Sequence, residues 1–454
     1  MKLYGGNAMA GKHKVDTIIL HGSYMTMNYD RQMIADGALA IADGAIVAIG
    51  RADQLLQHYE AAEYHDVAGS VVMPGLINGH THAGMTFLRG VADDLPFRQW
   101  LEQIWNLERQ LLDDDFVYWS TLLGCCEMLS GGITTFVDSY YYVDAAARAA
   151  RDLSMRAIIG QTIVDGSVLT AVERWAHAED LAYATNYIER WHDNQLITPA
   201  ISPHALYSCS PEKLRQCADL AVRYDLPILL HLAETHRESE LILQRYGQRP
   251  IPLLAELGLL NKRLIAAHCV HVNVAEIKVL AAAHVNVIHN PSSNLKLGAG
   301  IAPLCDMLRA DLSLGLGTDS AASNNTLNLW GEMKAAALLQ KGLHGSDAID
   351  AYTVVELATI RAAHAIGKEK LIGSLEVGKR ADIIVVAQDQ LHQLPIYDIP
   401  SQLVYASYPA DVTMVMIDGR VVMKGGRLMT LRDEGMLREK TELYRERIRQ
   451  VSIS

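Results

Sequence analysis

The stretch "PGLINGHTHAGM" (residues 74–85) sets two histidines, His80 and His82, one residue apart, after an apolar run (Val71-Val72-Met73) and a Gly/Pro turn. In an extended strand, side chains two residues apart leave the same face, so both imidazoles would point one way. The same texture recurs downstream. Further short apolar runs span 133–139, 156–164, 198–203, 227–233, 264–270, 285–290 and 312–318, and together with 71–79 they make eight candidate strands. Segments of helical periodicity separate most of them, such as "DAAARAARDLSM" (144–155) and "SPEKLRQCADLAVRYD" (210–225). Strands alternating with helices imply βα units and a parallel sheet. Eight units over about 250 residues predict an α/β fold of the TIM-like (β/α)8 barrel type. A doubly wound open sheet is the alternative, but no GxGxxG phosphate cradle follows any run.

Outside this core the pattern changes. "DTIILHGSYMTM" (16–27), "GALAIADGAIVAIG" (37–50) and "EYHDVAGSVV" (63–72) combine β-branched residues with Asp-Gly and Ala-Gly turns. "GKRADIIVVA" (378–387) and "DVTMVMIDGRVVMKGGRL" (411–428) repeat that pattern near the other end. The expected organisation is a small composite β-sandwich domain from residues 1–68 plus 376–430, a catalytic barrel over 69–375, and a charged surface helix in the tail, 431–454.

The 454 residues carry 40 Lys+Arg against 52 Asp+Glu, a formal net charge of −12. An acidic chain without basic clusters argues against nucleic acid or an anionic membrane as the main partner. No run is long and apolar enough for a membrane span, and "MKLYGGNAMAGKHKV" lacks the apolar core of a secretory signal. None of the six cysteines forms a CxxC pair, which reads as reduced thiols in a cytoplasmic protein. The expected partners are a small-molecule substrate and further copies of the chain in a homo-oligomer.

Barrel enzymes build their sites at the C-terminal ends of the strands. Here the first run ends in His80 and His82, the fourth in His204, the fifth in His231 and Glu234, the sixth in His268 and His271, the seventh in His289, and the eighth in Asp319. A single histidine has a bland structural explanation; histidine or aspartate at six strand ends points to a site. His80 and His82 can share one ion, with His231 and Asp319 completing the set from across the barrel. Three neutral imidazoles and a carboxylate suit zinc, with iron(II) the alternative. No lysine ends the third or fourth run to bridge a second ion, so one divalent metal per chain is expected. An ion with an open position lowers the pKa of bound water from about 15.7 towards 7. Glu234, three residues after His231, is placed to exchange protons with a substrate atom, and His268 to hydrogen-bond the water or a developing oxyanion. "HAE" (177–179) matches half of the HxE…PCxxC signature of one class of zinc deaminases, but the PCxxC half is absent.

"PGLINGHTHAGMTFLRGVADDLPFRQWL", "PHALYSCSPE", "HLAET", "AAHCVH", "HNPSSNLKLGAGIAPL" and "LGTDSAASNNTLNLWGEMK" together resemble the amidohydrolase superfamily, and within it the 5′-methylthioadenosine/S-adenosylhomocysteine deaminases. The resemblance covers roughly residues 15–450. It implies metal-dependent hydrolytic deamination of an adenine nucleoside, with His80, His82, His231 and Asp319 as metal ligands. Glu234 would protonate the purine ring, His268 would assist at the water, and Asp319 would take the water's proton. It further implies that Glu108 binds the ribose hydroxyls and that His204 contacts the nucleoside. The chain departs from the pattern where some members carry an arginine for the homocysteine carboxylate. Here Gln161 stands, and a neutral amide is no bidentate clamp for a carboxylate. Arg174 could compensate; the change otherwise weakens the expectation of S-adenosylhomocysteine and favours methylthioadenosine or adenosine, whose tails carry no carboxylate. Ser320 in "GTDS" and Gly84 in "HTHAG" are further departures. The alternatives are a deaminase or chlorohydrolase of a triazine, pterin or free aminopurine, or a barrel that has lost catalysis and serves in assembly.

Overall fold

The computed structural model describes residues 12–168 and 181–453. The chain opens with β1 (His13–Met25), β2 (Met33–Ala42), β3 (Ala45–Arg51), β4 (Tyr59–Asp66) and β5 (Ser70–Pro74). It continues with β6 (Leu76–Thr81), β7 (Ile133–Tyr140), β8 (Arg156–Ile163), β9 (Ile197–Pro203), β10 (Ile228–Leu232), β11 (Leu264–His268), β12 (Asn286–His289) and β13 (Ser313–Leu316). It closes with β14 (Ile383–Ala387), β15 (Val412–Ile417), β16 (Arg420–Lys424) and β17 (Arg427–Leu428).

Strands β6 to β13 lie in sequence order in one eight-stranded parallel sheet, the predicted barrel. They read as nearly continuous apolar runs because one face meets the barrel interior and the other the helices. Ile77, Val137, Ile158, Ala200, Leu229, Ile265 and Ile288 fill the interior, together with Ala362, Ala363 and Ile366 on and just after the helix Ile360–Ala365. The seam between β6 and β13 is closed largely by a side chain. Asn78 accepts from the Thr318 amide (3.0 Å) and donates to its hydroxyl (2.7 Å), and the Asp319 amide donates to the His80 carbonyl (3.0 Å). A Cβ on Gly317 would lie 2.4 Å from Asn290 Oδ1 and 2.8 Å from the His80 amide, so only glycine lets the strand ends bearing His80 and Asp319 approach this closely.

The other strands form a nine-stranded sheet in the order β17-β16-β15-β14-β5-β1-β2-β3, with β4 added on β1. Ile46 of β3 and Met416 of β15 share one apolar cluster, so the sheet folds over onto itself as a sandwich built from both ends of the chain. One reading changes here. The run 71–79 is not a single strand: β5 pairs with β14 and β1, and after Gly75 the chain enters the barrel as β6. Both segments are buried and apolar, so the sequence does not show which sheet each joins. The tail helix, Glu434–Ile453, is also more than a charged surface element. Leu437, Tyr444 and Ile448 are buried, and Tyr444 packs on Phe87 and Phe116 while its hydroxyl donates to Asp115 (2.7 Å). No described helix is long and apolar enough to cross a membrane.

Candidate active site and metal centre

The C-terminal strand ends bring the expected residues together. His82 Nε2 lies 3.1 Å from His231 Nε2 and 3.2 Å from Asp319 Oδ1, and His80 Nε2 lies 3.5 Å from the same oxygen. The other ring nitrogens determine what these contacts mean. His231 Nδ1 sits 2.8 Å from the His204 carbonyl, and His82 Nδ1 hydrogen-bonds the Ser139 carbonyl. A carbonyl only accepts, so both Nδ1 atoms carry the proton and both Nε2 atoms present lone pairs. Two lone pairs facing each other at 3.1 Å repel unless a proton or a metal ion lies between them. His80 Nε2 adds a third donor atom, buried and without a hydrogen-bond partner among the described residues.

The electrostatics agree. Burial alone would raise the Asp319 carboxyl, but contacts with His80 and His82 hold it well below the usual carboxylate range. Burial lowers His80 to about 4. Burial also opposes charge on His82, yet the Asp319 carboxylate and the Ser139 carbonyl outweigh it and raise His82 to about 9. The cluster therefore draws a positive charge to its centre. Ligand atoms of His80, His82 and Asp319 lie within 4.8 Å of one another, as do those of His80, His231 and His268; the shared His80 makes this one centre rather than two. Three nitrogen lone pairs and one carboxylate fit a single divalent ion. Ser293 Oγ donates to Asp319 Oδ2 (2.6 Å) and fixes the carboxylate from behind.

A profile of the amidohydrolase family matches residues 71–422. The chain belongs to the amidohydrolase family. It is 42% identical to the 5-methylthioadenosine/S-adenosylhomocysteine deaminase of Syntrophobacter fumaroxidans, over 94% of this chain and 98% of that one. Its fold matches a zinc-bound adenosine deaminase from Xanthomonas campestris with a TM-score of 0.93 and 37% identity, covering 97% and 100% of the two chains. A triazine hydrolase from Arthrobacter aurescens shares the fold at TM-score 0.87 and 23% identity, over 94% and 98%.

In this amidohydrolase, Glu234 and His268 face the same centre. Glu234 is buried, and burial raises its carboxyl. Its backbone is held from below by Glu238, whose two oxygens accept from the amides of Ala233 (3.2 Å) and Glu234 (2.8 Å). His268 Nε2 lies 3.9 Å from Glu234 Oε1, and His268 Nδ1 lies 2.8 Å from Asn294 Oδ1. That acceptor puts the proton on Nδ1 and leaves the Nε2 lone pair towards the cavity. Ala233, His268, Cys269 and Asp319 all adopt left-handed backbone (φ 48°, 75°, 47° and 60°). Such strain, about 1 kcal/mol or more at each residue, persists where the surroundings over-determine the conformation.

A cavity of about 60 Å³ opens above these groups. The helix Phe97–Leu111 covers it with Phe97, Trp100, Leu101 and Trp105. Glu108, from the same helix, lines the wall, and Tyr140 Oη donates to its Oε1 (2.6 Å). Burial pushes the Glu108 carboxyl up to about 7, against the opposing effect of Tyr140. His204 also lines the cavity, hydrogen-bonded to Ser208 Oγ (2.8 Å) and held neutral by burial, which lowers it to about 3. Gln161 is a correction. It lies on β8 among outward-facing Ile159 and Ile163, its amide donates to the Thr162 carbonyl (3.0 Å), and it does not line the cavity; Thr162, one residue on, does. The strand's two-residue period decides this. His271 bonds the Ala299 carbonyl (2.7 Å), and His289 is buried with no hydrogen-bond partner on either nitrogen among the described residues; neither lines the cavity. Arg174 and the 177–179 motif lie outside the described residues. Sequence reasoning missed Ser293, Asn294, Glu238, Tyr140 and Thr162. "NPSSN" carries the first two in plain sight, but nothing in their spacing says which histidine or carboxylate each supports.

Proposed function

We propose that this amidohydrolase hydrolytically deaminates an adenine nucleoside, 5′-methylthioadenosine, adenosine or S-adenosylhomocysteine, to the inosine analogue and ammonia. The observation that carries the reading is the buried Glu234 carboxyl, with its affinity for a proton raised, in one cavity with His268 and the three-histidine, one-aspartate cluster. His80, His82, His231 and Asp319 would hold a divalent ion, zinc by donor chemistry with iron the alternative, which would make water acidic enough to supply the nucleophile near neutral pH. Glu234 delivers its proton to N1 of the purine and makes C6 more electrophilic. His268 accepts a hydrogen bond from the water, since its own proton is committed to Asn294. Asp319 takes up the proton that the water loses, and proton return to the amino group lets it leave as ammonia. Glu108 accepts hydrogen bonds from the ribose hydroxyls, and His204 bounds the nucleoside.

The names of the curated relative and of the zinc-bound structural neighbour support the substrate class. Six free, buried thiols support a reducing, cytoplasmic location, and exposed Leu391, Leu394 and Tyr397 offer an apolar edge for a homo-oligomer of this small-molecule enzyme. The deciding experiment is ammonia release by the zinc-loaded protein from 5′-methylthioadenosine, S-adenosylhomocysteine, adenosine and melamine. A nucleoside should turn over best. Faster turnover of melamine or another ribose-free aminoheterocycle would replace this reading by the triazine, pterin or free-aminopurine one.

A further inference from the structure

Glu332 is fully buried in the first turn of the helix Leu329–His344 and does not line the catalytic cavity. It does not cap its own helix. Asn328 does that, accepting from the amides of Trp330 (3.0 Å) and Gly331 (3.3 Å). Both Glu332 oxygens turn to other elements instead. Oε2 accepts from the Ser292 amide (3.0 Å), and Oε1 accepts from the side-chain amide of Asn324 (2.8 Å). No cation pairs with this carboxyl among the described residues, and burial, reinforced by the charge of Asp319, pushes it up to about 7. A buried carboxylate held only by neutral donors is costly to fold around, so packing alone does not account for it.

Each of the two contacts reaches the metal centre through a short chain of bonds. Ser292 is the second residue of the helix Pro291–Lys296, whose N-cap Asn290 makes no side-chain capping bond. Glu332 supplies the missing acceptor from another element and so fixes the start of that helix. The next two residues serve the site. Ser293 Oγ donates to Asp319 Oδ2 (2.6 Å), and Asn294 Oδ1 accepts from His268 Nδ1 (2.8 Å). The second chain runs through Asn324, whose side-chain amide donates both to Glu332 and to the Thr318 carbonyl (2.8 Å). That carbonyl belongs to the peptide group joining Thr318 to Asp319, and the N–H of the same group donates to the His80 carbonyl (3.0 Å). The peptide is thus gripped at both ends, where Asp319 takes up its left-handed backbone (φ 60°).

We propose that Glu332 is a positioning residue for the reaction. Its carboxylate locks the helix after β12 and the loop after β13 in one relative placement, so that Ser293 and Asn294 meet Asp319 and His268 together. Asp319 is then held twice from the same point, at its side chain through Ser292-Ser293 and at its backbone through Asn324. The proposal rests on the deaminase reading above for what the positioned groups do, and on the three-histidine, one-aspartate cluster alone for the metal. Groups that orient ligands from behind commonly govern metal affinity or activity by about 10- to 100-fold.

The test uses the full-length protein with Glu332→Ala, Glu332→Gln, Ser293→Ala and the Glu332→Ala/Ser293→Ala pair. Zinc affinity is measured by competition with a chromophoric chelator, and kcat and KM by ammonia release from methylthioadenosine. Glu332→Ala should weaken zinc binding and lower kcat, each by about 10-fold or more. KM should stay near wild type, since Glu332 does not touch the cavity. Glu332→Gln keeps the volume and one acceptor but turns an N–H2 towards a donor, so it should fall between wild type and alanine and serves if the alanine variant does not fold. The zinc-affinity losses of Glu332→Ala and Ser293→Ala should be less than multiplicative in the pair, because the first acts partly through the second. A merely structural carboxylate predicts another pattern, in which the melting temperatures of metal-free and zinc-loaded protein fall together while zinc affinity and kcat hold. Zinc affinity or kcat within twofold of wild type in both Glu332 variants overturns the proposal, as do fully multiplicative losses in the pair. A wild-type protein that binds zinc but deaminates no nucleoside removes the deaminase reading, and the zinc measurements then still decide whether Glu332 positions Asp319.

Discussion

Replacing Asn294 by alanine tests whether the protonation pattern of the site is set from behind. Asn294 Oδ1 lies 2.8 Å from His268 Nδ1, both residues are buried, and on the other side the Asn290 amide stands at 3.4 Å. While Asn294 accepts, the proton stays on Nδ1 and the Nε2 lone pair receives a hydrogen bond from the attacking water. Without the acceptor, a buried N–H is left unpaired, at a cost of about 1–3 kcal/mol. The ring escapes that cost by moving its proton to Nε2, where it opposes the water instead of accepting from it. Returning to the productive tautomer then adds the same 1–3 kcal/mol to the barrel's chemical step, a loss of roughly 5- to 150-fold in kcat. KM should change little, because Asn294 does not line the cavity. Asn294→Asp keeps an acceptor and should retain more kcat than Asn294→Ala. Steady-state ammonia release by the zinc-loaded variants measures both. A kcat within twofold of wild type for Asn294→Ala, or an aspartate variant no better than the alanine one, would refute the tautomer reasoning.

Four other outcomes are expected. Glu108, held up to about 7 by burial, should accept from the ribose only when ionised, so nucleoside KM should fall as pH rises through about 7. Glu108→Gln should raise that KM more than the KM of a free base and flatten its pH dependence, and an unchanged pH profile in the variant would count against the role. The same raised pKa makes the folded chain bind the extra proton. The stabilisation linked to Glu108 is complete below its ordinary 4.5 and is lost as pH rises through about 7, visible in denaturation midpoints that differ between wild type and Glu108→Gln. Arg156 at the start of β8 makes a buried two-point pair with Asp382 (2.8 and 3.0 Å) and joins barrel to sandwich, so Arg156→Ala should cost about 3–5 kcal/mol and lower Tm by roughly 3–5 °C. An unshifted melting curve would show that the junction tolerates the loose carboxylate. Chelation should abolish ammonia release and lower Tm, with zinc restoring both. Full activity in protein shown metal-free by elemental analysis would exclude the metal role.

Much of this protein is local enough to read along the chain. The alternation of apolar runs with helical segments follows from strand and helix periods, so the barrel was legible. Its site was legible because such barrels expose what stands at strand ends: His80, His82, His231, Glu234, His268 and Asp319 are all found there. What the sequence left open depends on direction and on distant partners. The two-residue period turns Gln161 outward and Thr162 inward, and a shift of one residue in register would have reversed them. The run 71–79 divides between two sheets because burial on both faces makes its halves look alike. Only the folded chain sets Asn294 against His268, Ser293 against Asp319 and the Ser139 carbonyl against His82, joining elements far apart in sequence. Residue types at strand ends thus determined which chemistry is available, whereas tertiary packing decided which nitrogen carries a proton and which carboxyl is pushed towards its neutral form.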